Sequence, residues 1–346
     1  QTDDDYPQKL FQALTYTGTG SSGSITTKFQ PDFIWMKNRG ATKRHYVVDS
    51  SRGINSTSPY LHPDQNVSEG TGNSTGVSGA SSTSISFGGG LDYVNASSNT
   101  YVAWNWRANG GTETTNNTGT QTSYTQTDPS GGFSIVRYAG TGSSMTVGHG
   151  LSVEPKLTIV KDTGASVNWI VYTKVIDGSL DYFFLNTADN AGDSGLTGPN
   201  SSIWNFNSAS SYSNTSGRNY IMYNFTNVEG YCKVGKYIGN GAGSDGTFVY
   251  TGFRPAFILV KRSTSGTKAW LIEDNTRDLY NPTYHVLKPN NSNAEEAFTD
   301  GTDYNDFLSN GFKVARGGDA ANWNVNGETY VYLAMAHNPF KYSLAR

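Results

Sequence analysis

The sequence predicts an all-β chain made of three tandem jelly-roll-like β-sandwich modules of the concanavalin or laminin-G kind, and three observations carry that expectation. The first is composition. Only 35% of the 346 residues are apolar, yet 13% are aromatic and 40 are glycine. Aromatic and β-branched side chains suit a pleated, half-buried surface, and Gly, Asn and Ser suit the turns between strands. The second is an internal repeat: four sequence blocks recur in the same order three times. The third is spacing, since each copy offers roughly seven or eight short strands at the ~8–12-residue intervals of a sandwich or barrel.

The first block is a strand that ends in a glycine turn: Thr15-Tyr16-Thr17-Gly18-Thr19-Gly20, Arg137-Tyr138-Ala139-Gly140-Thr141-Gly142 and Lys236-Tyr237-Ile238-Gly239-Asn240-Gly241. The second opens on proline and closes on lysine at one constant offset, Pro31 to Lys37, Pro155 to Lys161 and Pro255 to Lys261. Proline at the first strand position costs no ladder hydrogen bond, and the near-continuous apolar run behind it fits a strand buried on both faces. The third is an aromatic run beginning at His45, Trp169 and Trp270. The fourth closes each copy at Tyr101-Val102-Ala103-Trp104, Tyr220-Ile221-Met222-Tyr223 and Tyr330-Val331-Tyr332-Leu333. An Asn precedes this closing strand in copies one and three, at Asn95 and Asn326, within a turn-like stretch.

These blocks divide the chain into an N-terminal extension (1–10), a first module (11–110), a flexible Thr/Asn/Gly-rich linker (111–130), a second module (131–229) and a third (230–346). No segment holds a sustained helical period, though 58–70 and 291–298 suit a short helical turn. The chain begins Gln-Thr-Asp with neither an initiator Met nor a signal pattern, so a processed terminus or a fragment is expected.

Charge and motifs exclude several classes. A net charge of −3 leaves no basic footprint, so no nucleic-acid partner is expected. No run of about 18 apolar residues is present, so no membrane insertion is expected. The single cysteine, Cys232, cannot form an intrachain disulfide. His45, His62, His149, His285 and His337 are scattered without metal-ligand spacing. The acidic runs at Asp3–Asp5, at Glu273, Asp274 and Asp278, and at Asp300, Asp303 and Asp306 lack a calcium-loop pattern. The carboxylates are not matched between copies, which argues against a glycosidase pair. The glycine strings Gly88–Gly90 and Gly317–Gly318 are not followed by a helical pattern and read as turns. No nucleophile elbow, phosphate loop or Cys-His signature is present. The expectation is a non-enzyme with no catalytic residue, no metal and no cofactor. Trp35, Trp104, Trp106, Trp169 and Trp270 fall in matched strands and are read as core. Trp204 and Trp323 lie between the matched blocks and are the candidates for ligand contact, as aromatic platforms for a sugar.

At three phrases the chain resembles a family of virion-associated proteins of marine tailed bacteriophages, including those of cyanobacteria. They are Phe29-Gln30-Pro31-Asp32-Phe33-Ile34-Trp35-Met36-Lys37-Asn38-Arg39, Tyr101-Val102-Ala103-Trp104-Asn105-Trp106 and Val249-Tyr250-Thr251-Gly252-Phe253-Arg254-Pro255-Ala256-Phe257. The closing His337-Asn338-Pro339-Phe340 is also similar, and the resemblance runs from about Tyr16 to Arg346. It implies a structural component of a phage particle, located in the virion and extracellular, with no assigned functional residues. The leading expectation is a non-enzymatic exposed fibre or tail-associated adhesin that contacts the host surface. Rigid modules in series would suit a stalk. The alternatives are a capsid decoration or exterior head protein, a carbohydrate-binding lectin-like module, and a polysaccharide depolymerase. Expected partners are other virion proteins, further copies in a homo-oligomer and a host-surface glycan. The loops 39–42, 70–90, 188–213 and 290–304, where the copies differ, are the expected recognition surface.

Overall fold

The computed structural model describes residues 7–72, 74–243, 245–264, 266–298, 304–314 and 322–337. The chain is all-β and sandwich-like, 43% strand and 1% helical, with several antiparallel sheets, none closed into a barrel.

One strand order occurs three times. In each copy the opening strand pairs with the closing strand, which pairs with the proline strand, which pairs with the aromatic strand. In copy one these are Phe11–Thr17, Thr100–Trp106, Phe33–Asn38 and Tyr46–Asp49. In copy two they are Phe133–Ala139, Asn219–Phe225, Leu157–Asp162 and Ile170–Thr173, and in copy three Cys232–Ile238, Thr329–Ala336, Pro255–Arg262 and Leu271–Asp274. Registers match as well: Tyr16 faces Tyr101, Tyr138 faces Tyr220 and Tyr237 faces Tyr330. These cross-strand tyrosines stack with ring centroids 5.2, 5.2 and 4.8 Å apart.

The conserved order rests on a shared turn. Asn95, Asn214 and Asn324 are buried. Their side-chain oxygens accept the N–H groups of Thr19, Thr141 and Asn240 at 3.0, 2.9 and 2.9 Å, pinning the glycine turn to the residues before the closing strand. The matched residue in copy three is therefore Asn324, not Asn326, and copy two has its own in Asn214. The first glycine of each turn is obligatory, because a Cβ at Gly18, Gly140 or Gly239 would lie 2.2, 2.4 or 2.2 Å from a backbone carbonyl oxygen.

Each four-strand group is covered on one face by a small sheet of its own copy. The small sheets are Gly23–Thr26, Ser84–Phe87 and Val77–Ser81; Met145–Gly148, Ile203–Phe206 and Gly198–Pro199; and Phe248–Tyr250, Gly311–Val314 and Asn305–Leu308. Between the layers lie three separate apolar clusters. The other faces meet each other. Phe33 and Trp35 of copy one, Leu157 and Ile159 of copy two, and Phe257 and Leu259 of copy three all join one common cluster. Their strand neighbours Ile34, Val160 and Ile258 belong to the local ones. Period-two alternation thus divides each proline strand between two cores. Aromatic contacts cross every pair of copies, with Phe33 to Tyr223 at 4.4 Å, Trp106 to Phe257 at 5.6 Å and Phe183 to Trp270 at 5.5 Å between centroids.

Three expectations change. The copies do not follow one another in series but pack around a shared centre. The segment 111–130, expected as a flexible linker, carries the strands Thr114–Asn116 and Ser123–Thr127, which extend the large sheet of copy two beyond its opening strand. Alternating buried residues at Ser123 and Thr125 give this polar segment an inner face. The stretches 58–70 and 291–298 form no helical turn. The first is bridged at Tyr60 and Gly70, and the second holds the short strand Glu296–Ala297. Among the described residues the helical element is the 3-10 turn Pro7–Lys9. Asp3–Asp5, Asp300, Asp303, Gly317–Gly318 and the 338–346 end lie outside the described residues.

Candidate functional site: the junctions between copies

Neither tryptophan expected at a surface is there. Trp204 is 0% and Trp323 1% exposed. Trp204 sits in a small sheet, stacks on Phe206 and donates its Nε1–H to Thr158 Oγ1 at 3.1 Å. Trp323 belongs to the local cluster of copy three. Both fill the layer between the two sheets of their copy, so they are core residues and not sugar platforms. The loops expected to carry recognition are also partly built in. Residues 70–90 and 188–213 supply small-sheet strands, and 290–304 supplies Glu295 to a junction. Gly/Ser-rich strands such as Val77–Ser81 carry too weak an apolar alternation to stand out in sequence.

The junctions repeat around the molecule. Glu69 of copy one donates its backbone N–H to Thr163 O of copy two at 2.8 Å, Ala191 of copy two to Ser263 O of copy three at 3.0 Å, and Glu295 of copy three to Arg39 O of copy one at 2.8 Å. The three bonds run in one direction and close a ring. A second set runs the other way: Trp169 Nε1–H bonds His62 O at 3.0 Å, and Trp270 Nε1–H bonds Phe184 O at 2.9 Å. At the matched position of copy one stands His45, whose Nε2 lies 3.1 Å from Lys288 O. Trp35 Nε1–H donates to His45 Nδ1 at 2.9 Å, which leaves the proton on Nε2 to reach Lys288. Burial holds His45 well below the ordinary imidazole range, so it remains neutral. It acts as a third member of the tryptophan set and not as a catalyst.

The lysines that end the proline strands are fully buried. Lys161 Nζ donates to the carbonyls of Asp162, Ala165 and Val167 at 2.8, 2.9 and 3.0 Å. Lys261 Nζ donates to those of Arg262 and Lys268 and, across the junction, to Ala188 O at 3.1 Å. Lys37 Nζ bonds Asn38 O and Ala41 O. Burial pulls all three ammonium groups down to about 8, still charged at neutral pH, and the ammonium's three donors suit such carbonyl nests. The fixed Pro-to-Lys offset therefore marks a loop-organising cation.

Two junctions carry matched carboxylates, contrary to the expectation that none recur. Asp49 Oδ2 accepts from Arg52 Nε at 2.7 Å and from Tyr223 OH of copy two at 2.7 Å. Asp274 Oδ2 accepts from Arg277 Nε at 2.6 Å and from Trp104 Nε1 of copy one at 2.9 Å. Arg52 and Arg277 then reach Glu69 and Glu295 at 3.2 and 3.0 Å. Burial raises the Glu295 carboxyl, but a hydrogen bond from Arg39 and the Arg277 charge hold it below the ordinary range. At the third junction the equivalent residues are Thr173, Ile176, Ala191 and Leu333. Arg39, expected in a divergent loop, is thus a junction residue, bonded to Glu295 through Nε and Nη2.

One junction opens into a groove of about 530 Å³ between copies one and two. Arg52 and Glu69 line it from copy one. Gln121, Tyr124, Arg137 and Asn219 line it from copy two. Tyr124 is 41% exposed, its ring lies beneath the Arg137 guanidinium at 5.0 Å, and Arg137 is held by Glu113 through paired hydrogen bonds at 2.7 and 2.5 Å. Among the described residues no three His, Cys, Asp or Glu side chains gather as a metal-holding group. No described helix is long and apolar enough to cross a membrane.

Fold and junctions define a sandwich-like β protein whose three copies close a ring within one chain. The chain belongs to the DUF7483 family, a domain of unknown function whose model matches residues 6–339. No curated protein and no solved structure matches it.

Proposed function

We propose that this protein is a non-enzymatic structural protein of a phage particle, displayed on its exterior as a fibre-associated or tail-associated adhesin and built of three jelly-roll-like sandwich modules. The observation that carries the reading is where the buried charges go. Asp49, Arg52, Asp274, Arg277, Glu295 and the three strand-end lysines all take protein partners within or across the junctions. Such groups hold a ring together and face no reaction centre. A glycosidase needs two carboxylates across a cleft, about 5–10 Å apart. Among the described residues Glu69 is the single carboxylate lining the junction groove, and it is paired with Arg52. The family resemblance of the Phe29–Arg39 and Tyr101–Trp106 phrases supports a particle component, with other virion proteins and symmetric copies of itself as partners. An exterior head protein is the second reading, favoured by the compact ring over an extended stalk.

Mass spectrometry of purified particles, with antibody-gold labelling against this chain, tests the proposal. The expected result is the chain in intact particles with label on the outer surface of the tail or head. Particles that lack the chain would overturn it.

A further inference from the structure

We propose that the groove between copies one and two is a binding site for a neutral saccharide, with Tyr124 as the platform and Arg52, Glu69, Gln121 and Asn219 as hydrogen-bonding groups. The inference rests on the adhesin reading only for the source of the sugar, a bacterial surface. The site itself is argued from geometry.

Three observations converge on this groove. Its size lies within the ~300–1,000 Å³ of small-ligand sites. Its upper wall breaks the threefold pattern: Gln121 and Tyr124 come from the 111–130 segment, whose two strands have no counterpart in the other copies among the described residues. The third observation is a missing partner. Arg277 in copy three uses Nη2 to bond Ile272 O at 3.0 Å. The matched Arg52, with only 5% of its side chain exposed, keeps Nη2 buried and without an acceptor. A buried guanidinium donor left unpaired is costly, and Arg52 is one of the residues that line the groove.

The chemistry selects the ligand class. Arg52 is neutralised by Asp49 and Glu69, and Arg137 by Glu113. Among the described residues the groove thus holds no uncompensated charge that would call for an anion. What it offers is a mixture of donors and acceptors beside an aromatic ring. Hydroxyl groups both donate and accept, and the C–H face of a pyranose packs on an aromatic plane. Arg137 and the cross-strand pairing with Tyr124 hold that ring in place, so little freedom is lost on binding.

The full chain is tested on an array of bacterial surface oligosaccharides that includes neutral, uronic-acid and sulfated members. Wild type and the variants Tyr124→Ala, Tyr124→Phe, Gln121→Ala and Tyr250→Ala are compared, and thermal melts check folding. Wild type is expected to bind at least one neutral oligosaccharide. Tyr124→Ala should weaken that binding about ten-fold or more, as loss of an aromatic anchor does. Gln121→Ala should weaken it by a smaller factor. Tyr124→Phe should retain it, and Tyr250→Ala, at an exposed tyrosine of copy three, should leave it unchanged. No binding by wild type, binding confined to acidic sugars, or equal binding by wild type, Tyr124→Ala and Gln121→Ala would each overturn the proposal. If Tyr124→Ala fails to fold, Gln121→Ala decides. Absence of sugar binding by a chain that labels particles removes this site alone. Sugar binding by a chain absent from particles removes the adhesin reading alone.

Discussion

Glu273 shows how one position can serve three copies through three different chemistries. Strand register places Val48, Tyr172 and Glu273 at equivalent sites facing the local cores. Tyr172 finds Ser213 Oγ at 2.8 Å. Glu273 Oε2 accepts from Thr283 Oγ1 and Asn305 Nδ2, each at 2.8 Å, while Oε1 is buried without a partner. Burial raises this carboxyl to about 8 from an ordinary 4.5, so the folded chain holds a proton that the unfolded chain has released. Its stabilising contribution is complete below about pH 4.5 and is lost as pH rises toward 8. Glu273→Gln keeps the shape and removes the titration. Urea midpoints measured from pH 5 to pH 8 should therefore decline less in the variant than in wild type, and equal slopes would refute the protonated carboxyl. Little of this was legible in sequence, where Glu273 read only as one of an acidic run with Asp274 and Asp278 that lacks a calcium-loop pattern. The lysines were half legible. Their constant offset from proline was plain, but a charge at a strand end gives no sign of the carbonyl nest that receives it.

At the scale of elements, the junctions show which buried charges the ring needs and which it can replace. Two junctions use an Asp–Arg–Glu set with Tyr223 or Trp104 as the cross-copy donor, and the third has Thr173, Ile176, Ala191 and Leu333. Breaking one partner of a buried ion pair is costly, about 3–5 kcal/mol, whereas replacing the whole set by packed apolar groups is often neutral. Asp49→Ala should accordingly cost about 3–5 kcal/mol, since it strands Arg52 and the Tyr223 hydroxyl. The quadruple variant Asp49→Thr, Arg52→Ile, Glu69→Ala and Tyr223→Leu copies the third junction and should recover most of that loss in denaturant unfolding. A quadruple variant no more stable than Asp49→Ala would show that the third junction depends on backbone differences instead. The strands themselves were legible because each block carries its own signal: a glycine turn at the end of the first, and in the second a proline at the entry, a near-continuous apolar run behind it and a lysine at the close. The junction partners were not. Glu69 and Glu295 lie between the matched blocks, where the copies differ in length and share no sequence register.

For the whole molecule, the decisive feature is that each proline strand serves two cores. A run such as Phe33-Ile34-Trp35-Met36 announced burial on both faces, but linear order is silent about what covers the second face. A stalk of modules in series would leave Phe33, Trp35, Trp104 and Trp106 in water, and the ring answers that demand by burying them against copies two and three. Cooperativity follows from the same fact. Modules joined by linkers unfold separately, but here no copy can open without exposing the central aromatics of the other two. Differential scanning calorimetry should show one endotherm with the calorimetric enthalpy equal to the van't Hoff enthalpy, the mark of a two-state unit. Two or three resolved transitions would mean that the common core contributes less than the three local ones. The sharper form of the test removes copy three by ending the chain at residue 229. That shortened chain loses Phe257 from beside Trp104 and Trp106 and uncovers an apolar face of the kind that drives association. It should therefore form oligomers or aggregate in light scattering, where the full chain's copies satisfy one another. A monodisperse, monomeric 1–229 fragment with a cooperative melt would show that copies one and two close their own core, and that ring closure adds a third lobe without holding the other two.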